Sequence, residues 1–122
     1  MSSVGFYQIK KGVGNKGYFC EVHLTMEEIP NKPTILLLVE YESDDHNFIF
    51  QKAVEAGVYY FLSKNKNFTG LKVKIKKLRL IPVDSTFVVV MFSVIMALCN
   101  AMDTKIEGLS LNLETGFFEF PK

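Results

Sequence analysis

The chain reads as an α+β protein, a mixed β-sheet covered by two helices in the order β-β-β-α-β-α-β. Three observations point there. Tyr18 to Ile29 alternates, with Cys20, Val22, Leu24 and Met26 on one side and Glu21, His23, Thr25 and Glu27 on the other, the period of a half-buried strand. Phe48 to Leu62 repeats Ile49, Ala53, Ala56, Gly57, Tyr60 and Phe61 at helical spacing. Phe87 to Met102 carries no charge, and its only polar residues are Ser93 and Asn100. With 122 residues, 48% hydrophobic and 22% charged, one domain over residues 1–122 is expected. That length supports a core without a disulfide or a metal.

Val4 to Ile9 is a first strand. It leads into Lys10-Lys11-Gly12-Val13-Gly14-Asn15-Lys16-Gly17, a glycine-rich basic turn. With the alternating strand after it, this predicts a hairpin with a long basic loop. Pro30-Asn31-Lys32-Pro33 is a second turn, and Thr34 to Tyr41, apolar on both sides, suits an inner strand. Ser43-Asp44-Asp45 offers cap oxygens to the first helix.

After a polar connection to Gly70, Leu71 to Leu80 is a strand with a fault. Lys72, Lys74 and Lys76 alternate with Leu71, Val73 and Ile75, and the charges then move to Lys77 and Arg79. A period-2 pattern that slips by one residue implies a bulge or a turn. Lys76 to Leu80 is therefore expected to be a bent, exposed tip.

Phe87 to Met102 admits a buried helix, a membrane span or a strand pair. A span needs roughly 20 apolar residues. Here the whole run is sixteen residues long, bracketed by Asp84 and Asp103, with no basic cluster after it. Val88, Val89 and Val90 favour a strand by propensity. Length and an Asp84 or Ser85 cap favour a helix buried on nearly all sides. Leu109, Leu111 and Leu113 then alternate in a last strand, and Phe117, Phe118 and Phe120 break register after Gly116.

Met1-Ser2-Ser3-Val4 lacks the basic and apolar regions of a secretory signal. Two cysteines outside any dense framework suit a reducing cytosol, so a cytoplasmic protein is expected. The net charge of +1 excludes a dominating field. Its distribution is uneven. Lys10, Lys11, Lys16, Lys72, Lys74, Lys76, Lys77 and Arg79 fall in two short segments, and most acids lie between them. If the segments meet, the molecule has a basic end.

Candidate sites divide by geometry. Gly12 to Gly17 spells G-x-G-x-x-G, but a dinucleotide fingerprint needs a helix after it and a strand follows here. Cys20 and His23, three apart on a strand, face opposite ways and cannot converge on a metal or form a nucleophile and base pair. Cys20 and Cys99 read as small core residues. Asp44-Asp45 is explained by a helix cap with an acidic first turn. No catalytic residue, metal or cofactor is expected, and the chain is read as a non-enzyme.

Four stretches, in order, resemble domain IV of the translational elongation factor G family. Lys11 to Tyr18 resembles its glycine-rich loop, and Ala53-Val54-Glu55-Ala56-Gly57-Val58 its "AVxxGV" helix start. Gly70 to Ile75 resembles the strand that follows. Val83-Asp84-Ser85-Thr86, with Phe92 to Ala97, resembles its "VDSS" cap and buried helix. The resemblance covers about residues 5 to 118. It implies a left-handed β-α-β crossover, against the usual rule. It also implies a two-loop tip that meets RNA in the decoding region of the ribosome. The loops correspond to Lys10 to Gly17 and Lys76 to Ile81. Two features depart from the family. No G-x-x-x-x-G-K-[ST] occurs, so no GTPase is present. Lys77-Leu78 and Ile81 replace that tip's Asp-Gly turn and histidine, leaving a generic basic tip.

Two functions follow as expectations. One is a stand-alone module binding ribosomal or other RNA through phosphate contacts of Lys10, Lys11, Lys16, Lys76, Lys77 and Arg79, with Tyr18 stacking on a base. Against it stands the ordinary role of alternating lysines as a solvated strand face. The other is a protein-interaction or homo-oligomerising module using Phe117, Phe118 and Phe120 with Tyr59 and Tyr60. No membrane partner is expected.

Overall fold

A computed structural model describes residues 2–14, 16–28, 36–41, 48–65, 70–81, 83–112 and 114–122. The Pro30 to Pro33 turn, the Ser43-Asp44-Asp45 cap, His46, Asn15 and Leu113 lie outside the described residues.

Strands β1 (Ser2–Val13) and β2 (Lys16–Glu28) form an antiparallel hairpin. The predicted hairpin is present, but its long basic loop is not. Pairing continues through Lys10, Lys11 and Gly12 to Val13 opposite Lys16. Strand β3 (Leu36–Tyr41) is followed by α1 (Phe48–Lys64) and β4 (Gly70–Leu80). β4 pairs antiparallel with β2 and parallel with β3, so the sheet order is β1-β2-β4-β3. The strand expected inside the sheet, β3, is therefore at its edge, and β4 is the inner one. An apolar run does not by itself distinguish an edge strand from a central one.

Helix α2 (Phe87–Met102) confirms the buried-helix reading of the long apolar run. Its N-cap is Thr86, whose Oγ1 accepts from the Val89 amide at 3.4 Å, rather than Asp84 or Ser85. Ser85 is otherwise engaged. Its Oγ donates to the Phe19 carbonyl at 2.6 Å and accepts from the Ile81 amide at 2.9 Å. Asp103, at φ 52°, ends the helix in the left-handed conformation, with its N–H on the Asn100 and Cys99 carbonyls. No helix among the described residues is long and apolar enough to cross a membrane.

α2 lies against β1 and β2, and α1 lies against α2. Two glycines make the close approaches. A Cβ on Gly5 would stand 2.2 Å from the Ala97 carbonyl oxygen, and one on Gly57 would stand 3.0 Å from that of Met91. Cys20, Val22 and Leu24 of β2, Leu71, Val73 and Ile75 of β4, Val54, Val58 and Phe61 of α1 and Val90, Val94 and Leu98 of α2 form one buried cluster. Each such side chain contributes about 1.5–3 kcal/mol when fully buried. In α1 the buried stripe runs through Ala53, Val54, Gly57, Val58, Phe61 and Leu62, so Val54 and Val58 replace Ala56 and Tyr60 in the expected face.

The expected last strand is shorter than its pattern and leaves the main sheet. β5 (Ser110–Leu111) pairs with β6 (Phe118–Glu119) as a separate ribbon. Tyr18 donates its hydroxyl proton to the Gly116 carbonyl at 2.9 Å, and Phe118 packs on Phe92 with ring centroids 4.8 Å apart. These contacts hold the ribbon against the hairpin and α2.

Candidate nucleic-acid interface

α2 covers one face of β1 and β2, and α1 packs on α2 and joins the same buried cluster, which leaves the alternate residues of β1, β2 and β4 on an open face. Cross-strand register fixes the rows there. Phe6, His23 and Lys77 lie side by side on β1, β2 and β4, and Gln8, Glu21 and Arg79 form the next row. Val4, Thr25 and Lys74 lie on the other side, and Lys10 faces Phe19 near the strand ends.

The fault read in β4 is a β-bulge. Ile75 pairs with Leu24 and Lys77 with His23, so Lys76 has no opposite residue. The bulge restores phase. Ile75 and Leu78 both face the core, while Lys72, Lys74, Lys77 and Arg79 share the open face. The expected bent tip does not form there. Lys77 to Leu80 stays paired with β2, and Leu78 is buried. The chain turns later, at Ile81 to Ser85, where the Asp84 and Ser85 amides both donate to the Ile81 carbonyl.

Glu21 organises the centre of this face. Its Oε2 lies 2.7 Å from His23 Nε2, and its Oε1 accepts from Gln8 Nε2 at 3.1 Å and lies 3.6 Å from Arg79 Nη1. The His23 hydrogen bond holds the carboxyl below the ordinary glutamate range, with the charges of Arg79 and Lys77 acting in the same direction and burial opposing them. His23 in turn lies against the Phe6 ring, centroid to centroid 4.7 Å at 49°.

The predicted residues separate on this frame. Lys10, Lys77 and Arg79 are exposed on the open face, and Lys76 is exposed at the bulge. Lys11 is exposed too, but it takes the helix-side position opposite Tyr18 and borders a hollow with Tyr7, Phe92 and Leu111. Lys16 stands at the hairpin end, beside Gly17, Val83 and Asp84. The two basic segments do reach one end of the sheet. Lys10 is opposite Phe19, and the amide of Phe19 donates to the Asp84 carbonyl at 3.1 Å. Tyr18 does not present a free ring. It is buried, its hydroxyl is bonded to Gly116, and its ring packs edge-on against Phe118 at 5.6 Å.

The aromatic residues considered for a protein partner also separate. Phe118 and Phe120 pack on Phe92, and Phe120 also packs on Tyr60, whose hydroxyl donates to the Pro121 carbonyl. Phe117 is 70% exposed and Tyr59 is 59% exposed. Phe117 borders a groove of about 760 Å³ with Val83, Val88 and Lys16.

Both cysteines are free and buried, and burial pushes the Cys20 thiol up to about 12. That is the behaviour of a core residue, as read from the pattern. Among the described residues no group of His, Cys, Asp and Glu is placed to hold a metal ion. The G-x-G-x-x-G stretch runs from one strand into the next, with no helix N-terminus to receive a pyrophosphate.

Sequence reasoning places Glu21 with His23 on the polar side of β2 but passes over Phe6 and Gln8 as members of this face. The period-2 parity of β1 places both there once the hairpin register is known.

No protein-family model matches the chain, and no curated protein is similar to it in sequence. The fold does have counterparts. The chain is similar to part of a crystallised protein from Thermus thermophilus, with a TM-score of 0.63 and 19% identity over 79% of this chain and 15% of that one. This chain thus spans a small part of that protein's length, and the likeness is one of fold.

Proposed function

We propose that this chain is a non-catalytic binding module that takes RNA phosphates on the open face of its sheet. By the resemblance of its motifs it is a divergent relative of the tip domain of elongation factor G. One observation carries the reading. On the open positions of β1, β2 and β4, Lys10, Lys72, Lys74, Lys77 and Arg79 share a face with the acids Glu21 and Glu27, and Glu40 of β3 takes the register position beside Lys74. A basic stripe on the sheet face away from the helices suits phosphate contacts, which give affinity with little base specificity. The contacts differ from the two-loop tip that the resemblance implies. They run along β4 and the end of β1, with Lys76 and Lys16 at the margins and Tyr18 committed to the interior.

Co-sedimentation with purified ribosomal subunits, and titration of labelled RNA at rising salt, test this reading. Binding should weaken steeply with salt, with a logarithmic slope of about 0.7–0.9 per phosphate neutralised. Absence of salt-sensitive binding to either target would overturn it.

A second reading rests on Phe117, Val83 and Val88, which surround an apolar groove with Lys16 and Asp84 at its edge. Such a patch suits a protein partner or a second copy of the chain. Sedimentation velocity over a wide concentration range tests self-association. A species that stays monomeric, and is unchanged by Phe117→Ser, removes the second-copy form of this reading.

A further inference from the structure

On its edge strand β1 the open face carries an aromatic side chain that the core does not take in. Phe6 is 46% exposed, although the core lies one residue away on either side of it in the strand. On the open face its ring meets the His23 imidazole at 4.7 Å. That imidazole is held in place. Nε2 is bonded to Glu21, and Glu21 is held by Gln8 and Arg79. Lys77 lies directly across from His23, and two inter-strand spacings put the β4 bases roughly 10 Å from Phe6. The row thus offers a fixed π-surface at one end and a positive charge at the other.

We propose that Phe6, backed by His23, is a stacking platform for an unpaired base, so that the open face prefers single-stranded RNA to duplex. The inference rests on the RNA reading above and names the form of RNA it takes. In a duplex both faces of each base are covered by neighbours, and only an unstacked base can lie on a side-chain ring. Every base has a π-face, so such contact adds affinity without demanding a sequence. The phosphates of the same strand then meet Lys77, Arg79 and Lys10, which lie on the same face within one or two nucleotides' reach, roughly 10–13 Å from Phe6. A protein partner would be better served by a continuous apolar surface. Here the neighbours of Phe6 on the open face are polar or charged apart from Val4.

The test is fluorescence anisotropy of the full chain with a labelled oligouridylate and with an RNA duplex of equal length. Wild type is compared with Phe6→Leu, Phe6→Trp and Lys77→Glu, each checked for folding by circular dichroism. Phe6→Leu should weaken single-strand binding about ten- to a hundredfold and leave duplex binding unchanged. Phe6→Trp should retain single-strand affinity, and Lys77→Glu should weaken both. If Phe6→Leu binds oligouridylate as tightly as wild type while Lys77→Glu is impaired, the platform fails and the basic-face reading survives. If Phe6→Leu weakens both RNAs equally, or instead alters self-association, the platform is again overturned. If wild type binds neither RNA, the basic-face reading fails with it.

Discussion

The two faces of the sheet are built from the same strands and differ by single residues. On β1, Gly5 faces α2 with no room for a methyl group, while Val4 and Phe6 on either side of it are exposed. On β2, Cys20, Val22 and Leu24 are wholly buried, while Glu21 and His23 between them build a polar cluster. The helix-side face is therefore specified by volume and the open face by charge and register. β4 shows what links the two. Its bulge at Lys76 lets Ile75 and Leu78 both enter the core without bringing a lysine with them. A regular strand would have placed Lys77 inside.

That contrast breaks most visibly at neighbouring residues of β1. Gly5→Ala puts a methyl group against the Ala97 carbonyl and the Ala101 side chain, so α2 must shift. Urea unfolding should show a loss of about 3 kcal/mol, near the upper end for overpacking. Val4→Ala, one residue away and facing outward, should stay within about 0.5 kcal/mol of wild type. Equal losses would mean that the two faces are not distinguished as described.

A smaller effect is expected where the turn before α2 meets β2. Ser85→Ala removes a buried hydroxyl that joins the Phe19 carbonyl to the Ile81 amide. The expected loss is about 2 kcal/mol, since both backbone groups are left short of a partner. Thr86→Ala, which removes only the 3.4 Å cap bond, should cost about 1 kcal/mol. The order of the two, read from thermal or urea unfolding, separates the tie from the cap.

The smallest effect belongs to Glu21 and depends on pH. Its carboxyl titrates below its ordinary value of 4.5, so its ionised form is favoured by folding. That contribution is fully present above 4.5 and is lost as pH falls through the lowered value. Glu21→Gln should therefore flatten the stability profile in this acidic window and leave its shape at neutral pH unchanged. An unaltered acid limb would show that the His23 and Arg79 contacts do not couple to folding.

Much of the fold was legible because periodicity carried it. The alternation in β2, the slip in β4, the spacing in α1 and the charge-free run of α2 each correspond to an observed element. What failed depended on partners distant in sequence. β3 opens on four apolar residues, Leu36 to Val39, and only its pairing with β4 alone places it at the edge. Asp84, Ser85 and Thr86 all carry cap oxygens, and the choice among them is settled by Phe19, 66 residues from Ser85. The basic residues were visible, but their sorting onto faces was not. Lys10 and Lys11 are adjacent in sequence and lie on opposite sides of the sheet. The sequence suggests a surface ring at Tyr18, whose burial under Phe118 depends on a ribbon with strands of two residues each.

The most direct measurement compares one charge reversal on each face. Lys77→Glu and Lys11→Glu change the net charge identically, and both residues are exposed. Lys77 stands on the open face beside His23, and Lys11 stands on the helix side opposite Tyr18. RNA affinity at low salt should fall at least tenfold for Lys77→Glu and change less than about twofold for Lys11→Glu, with the salt slope reduced by roughly one unit in the first alone. Equal losses in the two variants would contradict the assignment of binding to the open face.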